Sequence, residues 1–310
     1  MPSKTVRIQK RILKRIADRH GQGHGDAYKA WIQVTRANIT NKSCQSAGNT
    51  LNGYKRRFNF MSQSERRFSI LLQWLGAADI REQFPLWPVP HLHPLVGARG
   101  SEGLGLGCVR GLLEIAKEAG IDHGYEIEAR GIPYVATVDL MVTIYRQGVP
   151  SLVAFSCKPR EIIESAGPLD NPLRRAELER RYMHEISGRF VMANPERYPR
   201  ALYLNLEWLM PDDAVSVALE ANPGFVAMRE YLAANINDVP IEKAIRDGRV
   251  SANMDSETAN AVFRLLAWRQ QIDIDLSRPV AMSRPACRGG KSVYHALRNG
   301  FGFGGCDVAC

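Results

Sequence analysis

The stretch YVATVDLMVTIY, residues 134 to 145, decides how this chain folds. Eight of its twelve residues are β-branched or aromatic and only one is charged, which predicts an apolar strand. Tyr134, Ala136, Val138, Leu140, Val142 and Ile144 would line one face. Val135, Thr137, Asp139, Met141 and Thr143 would line the other. Asp139 is therefore an acid set in an apolar strand, where an unpaired charge is costly. A second run follows at once, SLVAFSCK, residues 151 to 158. Pro159 cannot donate to a ladder, so this strand ends at Lys158 and leaves the lysine at a strand terminus, on the face of Ser156 and Ala154.

Upstream, SERRFSILLQWL (64 to 75) repeats apolar residues at helical spacing through Phe68, Leu71, Leu72 and Leu75. Glu65 stands three and seven residues before Phe68 and Leu72, on or beside the buried face of that helix. An acid on a helix, an acid in mid-strand and a lysine at the next strand end form the residue set of a metal-dependent phosphodiester-cleaving site. Hard cations such as Mg²⁺ take oxygen ligands and keep several waters. Such an ion polarises a phosphate and lowers the pKa of a bound water, while a lysine orients that water and offsets developing charge.

Around this set the order is helix, strand, a helical insert at 109 to 119, two strands, a long charged helix at 171 to 187 and a short strand FVMA at 190 to 193. That succession is mixed α/β. Pro211 with Asp212 and Asp213 marks a boundary and a helix start. From 213 to about 278 the pattern is helical and closes on a strand-like IDIDL (272 to 276), as in a winged-helix module. The tail from 283, rich in Arg, Gly and Cys, reads as flexible.

The net charge of +9 is uneven. Residues 1 to 67 hold fifteen Lys and Arg against three acids, a balance of +12, and the rest of the chain balances to −3. A basic block of this kind favours a polyanion. Val6, Ile12, Leu13 and Ile16 interleave with cations over 4 to 19, giving a basic amphipathic helix. Lys55, Arg56 and Arg57, between Tyr54 and Phe58, are candidate DNA-backbone contacts, and Arg66 and Arg67 beside Glu65 join that set. Arg174, Arg175, Arg180 and Arg181 share their helix with Glu177 and Glu179 and read mainly as a solvated or interdomain face. His91 and His93 lack further zinc ligands, and the glycines of 97 to 107 lack the strand and lysine of a phosphate loop. No run of 18 apolar residues and no secretory leader is present, so a cytoplasmic, nucleoid-associated protein with reduced cysteines is expected.

The helix at 64 to 75, then ADIREQFPL (78 to 86), GIDH (120 to 123), TVDL (137 to 140), the SCK strand end, ELERRYM (177 to 183) and NLEWL (205 to 209), in that order, resemble the TnsA family, endonuclease subunits of heteromeric bacterial transposases. The resemblance covers roughly residues 30 to 270. It implies a basic arm and lead-in over 1–60, a restriction-endonuclease-like catalytic domain over 61–210, a winged-helix-like partner-binding domain over 211–282 and a flexible tail over 283–310. It implies Glu65, Asp139 and Lys158 as the catalytic set, with Mg²⁺, or Mn²⁺ in its place, held by Glu65 and Asp139 and by the Cys157 carbonyl and Ser156. The implied partners are double-stranded DNA at transposon ends, a TnsB recombinase and a TnsC ATPase, with no membrane. Where the family places Gln or Glu two residues before the lysine, this chain has Ser156, a weaker neutral ligand. A free-standing restriction or repair nuclease and a catalytically silent DNA- and protein-binding adaptor are the alternatives.

Overall fold

In the computed structural model, which describes residues 3–35, 44–46, 53–126, 129–159, 161–162 and 171–305, the two apolar runs pair as an antiparallel hairpin. Elements are numbered in chain order: α1 (Lys4–Ala17), β1 (Cys44–Ser46), β2 (Phe58–Phe60), α2 (Gln63–Trp74), β3 (Asp79–Leu86), β4 (His91–Leu92), β5 (Cys108–Val109), α3 (Leu112–Ala119), β6 (Tyr125–Glu126), β7 (Ala129–Pro133), β8 (Ala136–Arg146) and β9 (Val149–Cys157). After β9 come α4 (Asn171–Glu185), β10 (Arg189–Ala193), α5 (Arg200–Leu209), α6 (Asp213–Glu220), α7 (Phe225–Asn235), α8 (Ile241–Ser251), α9 (Ser256–Trp268) and α10 (Gly290–Phe301). The β8–β9 hairpin turns on Gln147 and Gly148, both at positive φ (51° and 78°), a two-residue connection whose twist suits the flanking strands.

The main sheet has the order β10-β9-β8-β3, with β10 parallel to β9 and the other pairs antiparallel. It is a mixed sheet flanked by helices. One face packs on α2 and on the carboxy-terminal helices in a cluster that includes Phe68, Leu72, Leu140, Val142 and Phe155. The other face packs on α3 and α4 through Leu112, Ile115, Leu178 and Tyr182.

Strict alternation of faces along β8 does not hold. Leu140, Val142 and Ile144 belong to the α2 side, as expected, but Ala136 and Val138 belong to the α4 side together with Met141. The switch falls at Asp139. In the neighbouring β3 the same happens about Gln83, with Ile80 on the α2 side and Phe84 and Leu86 on the α4 side. The physical cause is visible in the backbone of β3, where Gln83 has φ +48°. A left-handed residue rotates the strand onto its other face, at a cost of about 1–2 kcal/mol for an L-residue.

Three expectations about the carboxy-terminal third are corrected. The tail is not loose over 283–305: α10 lies on the sheet, and residues 306–310 fall outside the described residues. Phe301 meets Phe68, Phe155 and Tyr198 with ring centroids 5.4, 5.7 and 5.7 Å apart, and Phe303 meets Phe155 at 6.3 Å. Buried Arg298 donates to the carbonyls of Leu75 and Phe303. The Arg- and Gly-rich composition hid aromatic anchors that bury large apolar area.

The IDIDL run is not a strand. Ile272, Ile274 and Leu276 are buried as an alternating strand face would be, but the main chain is held by side-chain amides, Asn237 to the Asp273 carbonyl (2.8 Å) and Asn205 to that of Leu276 (2.8 Å). No strand forms among the described residues after β10, so this region is helical without the strand pair of a winged helix. Nor does the core stop at Pro211. Trp74 donates its indole N–H to the Trp268 carbonyl at 2.8 Å, and one cluster runs from α2 into α7, α8 and α9. No helix among the described residues is long and apolar enough to cross a membrane.

Candidate active site

Glu65 is fixed by the start of its own helix. Ser62 caps α2 by accepting from the Glu65 N–H (3.1 Å), and the Glu65 carboxylate accepts from the Met61 N–H (2.9 Å) and the Ser62 hydroxyl (3.2 Å). This reciprocal arrangement is a variant of the capping box. It locks a carboxylate that is only 7% exposed. Burial, reinforced by the nearby Asp139 charge, pushes Glu65 from its ordinary 4.5 up to about 7, against the helix-start hydrogen bonds that favour the anion.

Asp139 takes two hydrogen bonds on Oδ2, from the Cys157 N–H at 2.7 Å and from Lys158 Nζ at 3.2 Å. Lys158 follows the end of β9, and its own N–H donates to the Ala193 carbonyl of β10 (2.9 Å), which carries the chain one residue beyond the strand. Burial works against the Lys158 ammonium, yet Asp139 and Glu179 outweigh it and the pKa is raised. The lysine is a cation. Cys157 has its thiol pushed well up by burial and by Asp139 and Glu65, so it is a neutral packing residue whose main-chain groups, not its sulfur, face the chemistry.

Asp139 and Lys158 border a cleft of about 740 Å³ that Gln83, Thr137, Arg175 and Glu179, among others, also line. Two of them add to the site what sequence reading missed. Glu179, treated as part of a solvated helix face, is 2% exposed, and burial together with Asp139 pushes it up to about 7. The signal was present: Glu179 is one residue from Leu178 and three from Tyr182 on a helix whose buried stripe includes both. Arg175 bridges to Glu179 (3.4 Å), donates to the Thr137 carbonyl (3.0 Å) and lies over the Tyr134 ring at 5.9 Å. Arg174 also borders the cleft, whereas Arg180 and Arg181 pair with Glu177 as expected.

The oxygen donors suit a hard cation. Glu65 and Asp139 bring two carboxylates, and the Cys157 carbonyl lies 3.5 Å from Lys158 Nζ. Ser156, fully buried, faces Glu179 and favours its anion, though neither Ser156 Oγ nor Glu179 Oε2 completes a hydrogen bond of normal geometry. A buried hydroxyl and a buried carboxyl oxygen left over at one place are what an absent oxygen-coordinated ion would leave behind. Among the described residues no cluster of three or more His, Cys, Asp or Glu side chains could hold a metal, so main-chain, hydroxyl and amide oxygens have to complete any shell. His91 and His93 are spoken for: their ring nitrogens meet the Tyr182 hydroxyl (2.8 Å) and the Ile186 carbonyl (3.1 Å).

The candidate DNA contacts divide. Lys55 and Arg57 are exposed. Arg56 is not: its guanidinium grips the fully buried Glu82 at 2.8 and 2.9 Å, reaches the Ile80 carbonyl and lies 3.8 Å from the Phe58 ring centroid. A buried carboxylate requires a counter-charge, and Arg56 supplies it. Arg66 and Arg67 turn to Glu207 of α5.

The chain is thus a mixed α/β protein whose sheet brings Asp139 and the end of β9 brings Lys158 to an open cleft, with Glu65 buried on α2 close behind. No protein-family profile matches the chain. It is TnsA-like: it is similar to the Transposon Tn7 transposition protein TnsA of Escherichia coli, 25% identical over 210 residues. The alignment takes in 67% of this chain and 65% of that protein.

Proposed function

We propose that the chain is a Mg²⁺-dependent DNA endonuclease subunit of a cut-and-paste transposase, hydrolysing the 5′-end strand at transposon ends together with a TnsB-type recombinase and a TnsC-type ATPase. The observation that carries the reading is the Asp139–Lys158 pair, 3.2 Å apart at the end of β9, with buried Glu65 near enough to feel the Asp139 charge. Likeness to a transposition protein supports the setting.

Glu65 and Asp139 would hold the metal, with the Cys157 carbonyl and the Ser156 hydroxyl adding neutral oxygens. When bound, the ion supplies Lewis-acid activation of the phosphate and of a water. Lys158, cationic and tethered to Asp139, orients the attacking water and offsets charge on the phosphate as the P–O bond to the leaving strand end breaks. Arg175, at the rim, faces an incoming backbone. Exposed Lys55 and Arg57 are the backbone contacts retained from the basic lead-in. Ser156 favours one second reading, a silent DNA- and protein-binding adaptor, because a hydroxyl replaces a stronger ligand.

The test is a strand-specific end-cleavage assay in Mg²⁺ or Mn²⁺, with partner proteins present and absent. Cleavage of one strand at the element end, lost in Asp139→Ala, is the expected result. Cleavage without partners would move the reading to a free-standing nuclease. No cleavage under any condition, with DNA binding intact, would establish the adaptor.

A further inference from the structure

Gln83 has no part in the chemistry above, yet four features set it apart. It is a non-glycine residue at φ +48° in the middle of a strand, a conformation that persists only where the surroundings impose it. The ladder that pairs Glu82 with Leu140 and Phe84 with Val138 sets Gln83 directly opposite Asp139. Its amide is engaged at both ends inside the protein: Nε2 donates to Glu65 Oε2 at 3.3 Å, and Oε1 accepts from the Thr137 hydroxyl at 3.3 Å. Its own carbonyl, released from regular strand geometry, accepts from the Trp31 N–H at 3.3 Å.

A fifth feature gives these their meaning. Gln83 lines the cleft beside Asp139 and Lys158, and Glu65 is not among the lining residues. Gln83 therefore touches both the cleft and, through its amide, the helix-borne carboxylate behind it. An ordinary extended residue at this position would follow the alternation of β3 and aim elsewhere. The left-handed turn brings its amide to Glu65.

We propose that Gln83 is a positioning residue, whose amide holds the Glu65 carboxylate in the orientation from which it shares a divalent metal ion with Asp139. The inference rests on the nuclease reading and deepens it. It assigns the unusual backbone of β3 to the metal site and not to the stability of the sheet. Hydrogen-bond partners of metal ligands characteristically tune affinity by 10–100-fold.

The experiment measures Mn²⁺ affinity of the full chain by calorimetry or electron paramagnetic resonance, and separately the thermal midpoint in EDTA. Gln83→Gly removes the amide and relieves the backbone. Gln83→Met keeps the bulk and removes both hydrogen bonds. Mn²⁺ binding weakened about 10-fold or more in both variants is expected. The Gly variant should melt in EDTA at or above the parent temperature, which a residue needed only for folding would not allow. Parent-like Mn²⁺ affinity in Gln83→Met, with the parent losing Mn²⁺ on Asp139→Asn, overturns the inference and leaves the nuclease reading standing. A parent that binds no Mn²⁺, or binds it independently of Asp139, overturns both. Should Gln83→Gly fail to fold, the backbone is held for the sheet and the inference falls.

Discussion

Without metal, the protein should lose stability as pH rises from about 4.5 to about 7. Glu65 and Glu179 are both raised from 4.5 to about 7, chiefly by burial and then by Asp139. Below pH 4.5 these groups are protonated in the folded and unfolded chain alike, and neither affects the balance. Between 4.5 and 7 the unfolded chain releases their protons while the folded chain keeps them, so folding binds protons and becomes less favourable with each step up in pH. Above 7 both forms are ionised and the dependence flattens. A rise of this size corresponds to about 3 kcal/mol for one isolated carboxyl, at about 1.4 kcal/mol per pKa unit. The pair should give less than twice that, because one Asp139 charge raises both. Solvent screening is slight at side chains 7% and 2% exposed.

The assay is equilibrium denaturation in EDTA at intervals from pH 4.5 to 8, with the Glu65→Gln, Glu179→Gln double variant as reference. The difference between parent and variant isolates these two groups from the other titrating residues. Mg²⁺ should reduce the slope for the parent, since a metal binds the ionised carboxylates and its affinity grows as protons leave. Identical pH dependence in parent and double variant would refute the reasoning, as would a parent that becomes more stable from pH 5 to 7 relative to the variant.

Asp139→Ala should abolish strand cleavage while circular dichroism and partner binding stay near the parent, because the residue lies at the cleft and not in the packed core; full cleavage by the variant would dismiss the assignment. Lys10, Arg11 and Lys14 are exposed on α1. Their joint change to Gln should flatten the slope of log affinity against log salt for DNA by up to about 2.7, at about 0.9 per phosphate contact, and an unchanged slope would show that α1 does not touch phosphates. Phe301→Ala should cost about 3–5 kcal/mol in urea unfolding, as expected for truncation of a buried aromatic; a loss under 1 kcal/mol would mean that α10 is dispensable to the sheet. Ser156→Ala should raise the Mg²⁺ concentration needed for half-maximal cleavage without eliminating it, and a parent-like titration would make Ser156 a packing residue.

The local elements were legible because each rests on a period or a stop that short-range physics enforces. Helical spacing through Phe68, Leu71, Leu72 and Leu75 marked α2, two apolar runs marked β8 and β9, and Pro159 set the strand end that leaves Lys158 at the cleft. From these the acid-acid-lysine set followed, since one acid and the lysine come from paired strands and the other from a helix with a buried face. Tertiary structure alone decided the rest. Helical spacing could put Glu179 on a buried face, but nothing local says that it meets Asp139 and Lys158 there, that Arg56 is spent on Glu82, or that FGF at 301 to 303 clamps a helix to the sheet. Each depends on which distant surface arrives beside it. The most telling case is Gln83: propensity gives no reason for a glutamine to adopt φ +48° within a strand, and periodicity assumes that it does not. Its conformation is set by Glu65, Thr137 and Trp31, from three separate parts of the chain, and it turns β3 at the register of Asp139.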